Sequence, residues 1–183
     1  MDFEQVVFAR RSVRAYTGEP VSDGEIEALL SYGHAAPSGG NACGWAFIVI
    51  RSAEAKRKVA QATYCGACEA NPPQSWLETA PVLIAVVADQ SAYMRKYGRH
   101  ALDNLLYLDA SACVENMLLG AVHLNLASCY ISGFRMLDMA KALNLPGHME
   151  PVAILPVGHP AEVGAARPRK PLAEIVHFEK FPD

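Results

Sequence analysis

Neither sign of charge dominates this sequence of 183 residues, in which 16 Lys and Arg face 19 Asp and Glu and leave a formal net charge of −3. A chain so close to neutral has no general attraction to nucleic acid or to anionic lipid, so we expect neither as a partner. The first residues lack a basic head followed by an apolar run, so we expect no secretory signal. Cysteine is scarce and odd in number, with five residues, which favours reduced thiols in the cytoplasm over a disulfide framework.

Several nucleotide-binding and catalytic signatures are also missing. No GxGxxG follows a predicted strand, which leaves a Rossmann dinucleotide site unsupported. Gly39 and Gly44 have the spacing of a P-loop, but Trp45 and Ala46 stand where Lys and Ser or Thr are required. There is no HExxH and no GxSxG, so zinc peptidase and α/β-hydrolase chemistry have no starting point in this sequence.

One CxxC motif is present, at Cys65 and Cys68. Such a pair is a redox-active dithiol, half of a zinc or iron–sulfur site, or two ordinary thiols in an irregular segment. No second CxxC accompanies it, and Cys43, Cys113 and Cys129 stand singly. We favour ordinary thiols, predict no metal site, and keep a thiol or metal protein as an alternative.

The order of predicted elements indicates one mixed domain over residues 1–183. About half of the chain is apolar (51%), as in a packed core, and the length suits a single domain. Periodicity and caps predict helices near residues 2–10, 22–35, 52–62, 102–126 and 136–143, and strands at 45–50, 81–88, 127–131 and 151–157. Residues 63–78 are the least regular. Alternating strands and helices favour an α/β or α+β fold.

The longest apolar stretch, residues 102–126, is predicted to be a buried helix and not a membrane span. A bilayer would penalise the six polar groups that interrupt it, namely Asp103, Asn104, Asp109, Glu115, Asn116 and His123. Residues 158–183, rich in Pro and charge, are predicted to form an extended arm. Its Val176, Phe178 and Phe181 need a cover, which is either a partner subunit or the parent domain.

A basic cluster is the first candidate for ligand binding. Arg10, Arg11, Ser12 and Arg14 lie within the sequence RRSVR at the end of a predicted helix. Arginine forks bind phosphate through paired hydrogen bonds, and a serine hydroxyl hydrogen-bonds a ribityl chain or a phosphate. The alternative is a solvated basic helix end that complements the helix dipole.

Three further segments are candidates. Pro37, Ser38, Gly39 and Asn41 belong to a loop with two glycines, whose backbone can approach a flat ring closely. Ser132 and Gly133 follow a predicted strand and can present a backbone N–H to a ligand. Arg167 and Arg169 place guanidiniums in the arm. The alternatives are a connecting loop for the first segment, a simple turn for the second and a soluble tail for the third.

Taken in order, these segments closely resemble the nitroreductase family of FMN enzymes. The resemblance rests on RRSVR after a helix, APSGGN before an aromatic residue and a strand, and APV with an apolar strand. It continues through ENMLLGA in a long helix, a strand ending in SGF, and an arm that reads GHP…RPRKP. It extends from about Phe3 to Phe181, and its specificity comes from the order and spacing of the motifs.

The resemblance implies an α+β fold with a mostly antiparallel central sheet flanked by helices, in a homodimer whose C-terminal arms are exchanged. Two FMN molecules are implied at the dimer interface. Arg10, Arg11, Ser12 and Arg14 are implied to bind the phosphate, ribityl chain and pyrimidine edge of one FMN. Pro37, Ser38, Gly39 and Asn41 of the other subunit are implied to lie against its ring. Ser132 and Gly133 are implied near flavin N5, and Arg169, or else Arg167, near the phosphate.

The implied activity is transfer of reducing equivalents from NADH or NADPH to nitroaromatics, quinones or similar electron-poor acceptors, with ping-pong kinetics. A fixed guanidinium near N1 and O2 stabilises the charge of the reduced flavin, and no catalytic acid or base is required. The alternative within flavin proteins is a low-turnover redox sensor or flavin store.

Two departures from the family pattern affect these expectations. The loop asparagine of the family is often followed by x-Gln-Pro-Trp, whereas here Asn41 precedes Ala42-Cys43-Gly44-Trp45, which weakens the role expected of Asn41. Residues 63–100, where larger members carry helices that cover the substrate, are short and hold the CxxC motif. Tyr64, Trp76, Tyr93 and Tyr97 are candidates either to roof a pocket or to serve as structural aromatics.

Overall fold

In the computed structural model, which describes residues 1–181, the long apolar runs form one antiparallel sheet. Its strands are β1 (Trp45–Ile50), β2 (Val82–Asp89), β3 (Ala127–Ser128) and β4 (Met149–Gly158), in the order β1-β2-β4-β3. All three strand pairings are antiparallel. The predicted α+β class is confirmed, and residues 182–183 of the predicted arm lie outside the described residues.

Within residues 1–181, six α-helices surround this sheet: α1 (Phe3–Ala9), α2 (Asp23–His34), α3 (Ala53–Ala62), α4 (Gln90–Tyr97), α5 (Leu105–His123) and α6 (Met136–Ala142). Ser22 begins α2 with a complete capping box and the hydroxyl of Ser52 caps α3, as their sequences predict. Asp2 begins α1 with a further capping box that we did not predict. Helix α4, which we did not predict, begins where the Asp89 side chain accepts a hydrogen bond from Ser91 N.

The core lies on both faces of β2, every residue of which is buried except the last. Ile84 and Val86 pack with residues of α2 and α5 on one face. Leu83 and Ala85 pack with residues of α3 and α6 on the other. A strand covered on both faces is apolar at every position, which explains the continuous apolar run at residues 81–88.

Several predicted boundaries are wrong by a few residues. Helix α5 begins at Leu105, not at residue 102, because a 3₁₀ turn at Arg99–Leu102 precedes it and Asn104 has non-helical dihedrals, and it ends at His123, not at residue 126. Strand β3 ends at Ser128, not at residue 131, because its pairing with β4 is interrupted there and resumes only at the isolated bridge between Ile131 and Ile154. Ser128 also makes a parallel bridge with Ser12.

The segment Arg99–His123 is long and apolar enough to cross a membrane by length and composition, but half of it is buried inside the fold. Its buried residues include Leu106, Val114 and Met117, which pack against the rest of the core. In the part of the chain described by the structure, this stretch is therefore the core helix that the sequence predicts.

The C-terminal arm leaves the domain after Ala161, whose N–H donates to Ala15 O at 3.0 Å. Residues 162–181 are exposed throughout, and their hydrogen bonds within the described chain are local. Phe178 and Phe181 are 86% and 76% exposed. The parent domain thus does not cover the apolar side chains of the arm.

Candidate functional site

The RRSVR segment lies beside the end of β3 because its backbone is extended there. Ser12 bridges Ser128 in parallel, and Val13 N donates to Ser128 O at 3.1 Å. Val13 points into the core and is 5% exposed, whereas Ser12 and Arg14 on either side of it are exposed. Alternation along an extended segment therefore directs Ser12 and Arg14 to the same outer side.

Arg10, Ser12 and Arg14 lie close enough to the buried thiol of Cys129 to act on its pKa. Burial raises the pKa of this thiol, and Arg14, Ser12 and Arg10 all act in the opposite direction. The Arg10 Nε atom lies 3.7 Å from Glu115 Oε1, and the Arg14 guanidinium lies 5.9 Å from the centroid of the Trp76 ring. The structure thus brings these three predicted residues together, and it adds Trp76 as a stacking surface for Arg14.

Arg11 points in a different direction from Arg10 and Arg14. Its Nη1 atom donates to Phe8 O at 2.7 Å and to Arg10 O at 2.8 Å, and so pairs with carbonyls at the end of α1. Its buried Nε atom has no hydrogen-bond partner among residues 1–181, and neither does the buried Ser128 Oγ. Buried polar atoms are rarely left unpaired, and both atoms are closed to solvent here, so the Arg11 side chain would have to move before its Nε could meet a ligand.

The loop that contains Pro37, Ser38, Gly39 and Asn41 folds into a tight 3₁₀ turn. Ser38 Oγ accepts a hydrogen bond from Cys43 N at 2.9 Å, and Ser38 O accepts one from Asn41 N at 2.9 Å. Gly40 and Asn41 both have positive φ, at 49° and 59°. Pro37 and Asn41 are exposed, so the turn presents its outer side to solvent.

The buried side chain of Asp109 in α5 accepts a hydrogen bond that fixes this loop in position. Its Oδ2 atom accepts hydrogen bonds from Gly39 N at 2.9 Å and from Tyr93 Oη at 3.1 Å. Asp109 is 7% exposed and Tyr93 is fully buried. Burial, followed by the negative charge of Asp109, raises the pKa of Tyr93, so Tyr93 stays protonated and continues to donate.

Sequence reasoning did not identify Asp109 and Tyr93 as a pair that positions this loop. The available signal was an acidic residue within an otherwise apolar helix, because a buried carboxylate requires donors. Tyr93 is a structural aromatic, as one of the two interpretations predicted, and not part of a roof.

The Ser132–Gly133 turn is attached to the irregular segment that follows α3. Gly133 O accepts a hydrogen bond from Tyr64 N at 3.0 Å, and Phe134 bridges Thr63. Tyr64 O in turn accepts a hydrogen bond from Gln74 Nε2 at 2.9 Å. The N–H groups of Ser132 and Gly133 make no hydrogen bond within residues 1–181, and they are the donors that the sequence predicts for a ligand.

The predicted site residues are not gathered into one pocket in a single chain. No hydrogen bond or ion pair within residues 1–181 joins the RRSVR segment to the Pro37–Asn41 loop, and both Arg167 and Arg169 lie in the exposed arm. A groove of about 460 Å³ between α1, α2 and α5 contains none of the predicted residues; its lining includes Phe3, Tyr32 and His123. No three His, Cys, Asp or Glu side chains meet as a metal site in the described chain.

The donor set of these segments suits an anion that is rich in acceptors. Three guanidiniums, the Ser12 hydroxyl and two free backbone N–H groups are all hydrogen-bond donors. Guanidinium forks match phosphate geometry. Leu105 and Lys96 pack where side chains at Gly39 and Gly40 would lie, so these two glycines serve packing within the chain. The donors present therefore fit a ligand that carries a phosphate.

Known proteins share this arrangement along most of the chain. The model of the nitroreductase family matches residues 7–159. A protein of Archaeoglobus fulgidus described as a putative NADH dehydrogenase/NAD(P)H nitroreductase is 30% identical, and the match covers 86% of this chain and 85% of that protein. An FMN reductase [NAD(P)H] of Bacillus subtilis is 27% identical, and the match covers 93% of this chain and 71% of that protein.

A solved structure agrees with the sequence relatives. The nitroreductase family protein of Clostridium difficile 630 is 29% identical and superimposes with a TM-score of 0.82, and the match covers 99% of this chain and all of that one. The family model, the relative that is 30% identical and the structural match all agree, and this chain belongs to the nitroreductase family.

Proposed function

We propose that this protein passes reducing equivalents from NADH or NADPH, through bound FMN, to small electron-poor acceptors such as quinones and nitroaromatics. Its class, an NAD(P)H-dependent oxidoreductase that uses FMN, follows from the family and from relatives described as FMN reductases. The acceptors and the kinetic order are the parts that we add. The observation that carries the proposal is the extended RRSVR segment, which pairs with Ser128 and presents Ser12 and Arg14 on one exposed side.

We assign the FMN-binding roles as follows. Arg10, Ser12 and Arg14 bind the phosphate, the ribityl chain and the pyrimidine edge, and Arg11 adds its Nε donor. Pro37, Ser38, Gly39 and Asn41 of a second copy lie against the ring. Ser132 and Gly133 face N5 with their free N–H groups, and Arg169, in preference to Arg167, closes on the phosphate from the arm.

The residues of the chain would hold and orient the cofactor. When bound, FMN would supply the transfer of two electrons between the nicotinamide and the acceptor. A guanidinium fixed beside the pyrimidine edge stabilises negative charge there without reorganising. The N–H groups of Ser132 and Gly133 donate hydrogen bonds at N5. Donor and acceptor use one open face in turn, which predicts ping-pong kinetics.

The exposed arm and the divided site both support a homodimer with exchanged arms. Phe178 and Phe181 are uncovered in one chain, and so are Phe3 and Phe8 of α1, which are 77% and 70% exposed. Strand β1 pairs only with β2 in the described residues, which leaves one edge of the sheet open. A second copy would cover these surfaces and bring its loop to the RRSVR segment. We also propose a cytoplasmic location, because all five cysteines are free.

The absorption spectrum of the purified protein, recorded with and without NADH in the absence of oxygen, tests this proposal. We expect a flavin band that bleaches with NADH and returns when menadione or a nitroaromatic is added. A protein that binds FMN but does not oxidise NADH in the presence of quinone would instead be a flavin sensor or store. A protein that stays colourless after incubation with FMN would refute the assignment.

A further inference from the structure

Cys65 and Cys68 differ from the other cysteines in their exposure. All five cysteines are free, but Cys113 and Cys129 are buried, and burial raises the pKa of both thiols, that of Cys113 to about 12. Cys43 is half-buried and hydrogen-bonded to Ser38. Only Cys65 and Cys68 are exposed, so a reagent in solution reaches these two thiols first.

The backbone between the two cysteines is a tight turn. Gly66 and Ala67 are its central residues, and Gly66 has a φ of 68°, in the left-handed region that favours glycine. A four-residue turn brings its first and last Cα atoms within about 7 Å of each other. A disulfide requires a Cα separation of roughly 4.4–6.8 Å, so the turn supports a bond between the two sulfurs with little backbone movement.

Hydrogen bonds of the backbone and of Asn71 hold this turn in place, and the thiols add only a long contact in which Cys65 Sγ donates to Pro73 O at 3.8 Å. Cys65 N donates to Pro72 O at 2.9 Å, and Asn71 N donates to Cys68 O at 3.0 Å. The Asn71 side chain donates to Cys65 O at 2.6 Å. The two side chains pack against no core, although free cysteine is among the most buried residue types, so packing does not explain their presence.

We propose that Cys65 and Cys68 are a modification site, a dithiol that forms a reversible intramolecular disulfide with small disulfides such as oxidised glutathione. The thiolate of one cysteine attacks the small disulfide and releases one small thiol. The other cysteine, as thiolate, attacks the resulting mixed disulfide and releases the second small thiol. The two protein thiols are oxidised to a disulfide, and the small disulfide is reduced to two thiols. The two protons of the protein thiols pass to the two leaving sulfurs.

The position of this dithiol gives it a route to the Ser132–Gly133 turn. Tyr64, which directly precedes Cys65, donates its N–H to Gly133 O, and Gln74 binds both Tyr64 O and Thr63 Oγ1. A bond between Cys65 and Cys68 therefore stiffens the segment that supports Gly133. Formation of the disulfide itself does not depend on the proposed function, because it needs no flavin.

Glutathione titration followed by peptide mass spectrometry tests this proposal on the whole protein. The reduced protein is equilibrated with oxidised and reduced glutathione, the free thiols are alkylated under native conditions, and the chain is digested with trypsin. Cleavage after Lys58 and Arg95 gives one peptide that contains Cys65 and Cys68 and no other cysteine. We expect this peptide to lose alkylation at both sites together and to carry no glutathione, and a dithiol reductant to restore both sites.

Variants separate an intramolecular bond from simple glutathione attachment. In Cys65→Ser and in Cys68→Ser the remaining thiol should retain glutathione, because no second thiol can displace it. Cys43→Ser is the matched control and should form the disulfide as the unmodified protein does. Two results would overturn the proposal. One is a peptide from the protein without substitutions that retains as much glutathione as the single variants, and the other is alkylation that persists at both cysteines.

Discussion

The carboxylate of Asp109 lies 2.9 Å from the backbone nitrogen of Gly39, although the two residues are 70 positions apart in the chain. This hydrogen bond attaches the glycine-rich loop to the longest helix of the fold. Tyr93 provides the second donor to the same oxygen, at 3.1 Å. The loop thus depends on a buried network of three residues for its position.

Replacing Asp109 with Ala should destabilise the protein by about 1–3 kcal/mol, because Gly39 N and Tyr93 Oη would lose their acceptor. Asp109→Asn retains one oxygen as acceptor, so its free energy of unfolding should fall less. Tyr93→Phe removes only one donor, so its free energy of unfolding should fall least. Urea denaturation of the three variants measures this order. If all three variants lost the same stability, the hydrogen bonds of this network would not account for the loss.

Replacing Gly40 with Ala should also destabilise the protein, by about 1–2 kcal/mol, because the backbone there is left-handed. Its φ is 49°, and an added Cβ would lie 2.7 Å from Lys96 Cε. Gly24 lies in α2 with no atom within 4 Å of an added Cβ, so Gly24→Ala is a matched control. The control should stabilise by about 0.5–1 kcal/mol. If the urea midpoints of Gly40→Ala and Gly24→Ala moved in the same direction, the backbone strain expected at Gly40 would be refuted.

Arg10→Ala and Arg169→Ala should each weaken FMN binding by roughly 1.5–3 kcal/mol, or about 10-fold to 150-fold in Kd, because each removes a charge-assisted contact. Glu115→Gln is the control for Arg10, since it removes the ion pair at 3.7 Å but leaves the guanidinium. FMN fluorescence titration gives the three Kd values. Retention of flavin by both arginine variants would remove the phosphate assignment.

Mixing two defective variants tests whether one site uses residues of two chains. Arg14→Ala damages the RRSVR side, and Ser38→Tyr places a ring where we expect the flavin. If the site is shared, a heterodimer of the two variants has one intact site and one doubly damaged site. A dimer with two-fold symmetry has two equivalent sites, so FMN binding should then return to about half of the sites of each heterodimer. Sites formed within one chain would give no recovery after subunit exchange.

The sequence was informative where one local rule dominates. Ser22 and Ser52 cap helices that begin where predicted, and the apolar run at residues 81–88 is the buried central strand. Contacts between distant segments escaped local rules. The bridge between Ser12 and Ser128 and the buried pairing of Asp109 with Gly39 each join residues that lie far apart in sequence. The roles of the predicted site residues stay predictions, because they depend on groups beyond a single chain.

The bridge between Ser12 and Ser128 has a consequence for synthesis on the ribosome. The RRSVR segment emerges early, but its backbone partner in β3 emerges much later, and Thr17 N pairs with His159 O at 3.0 Å later still. Contacts of such long sequence separation form late and slow the search for the native state. The nascent chain must therefore carry this basic segment without its strand partner through most of translation, so cofactor loading is expected to follow release of the finished polypeptide.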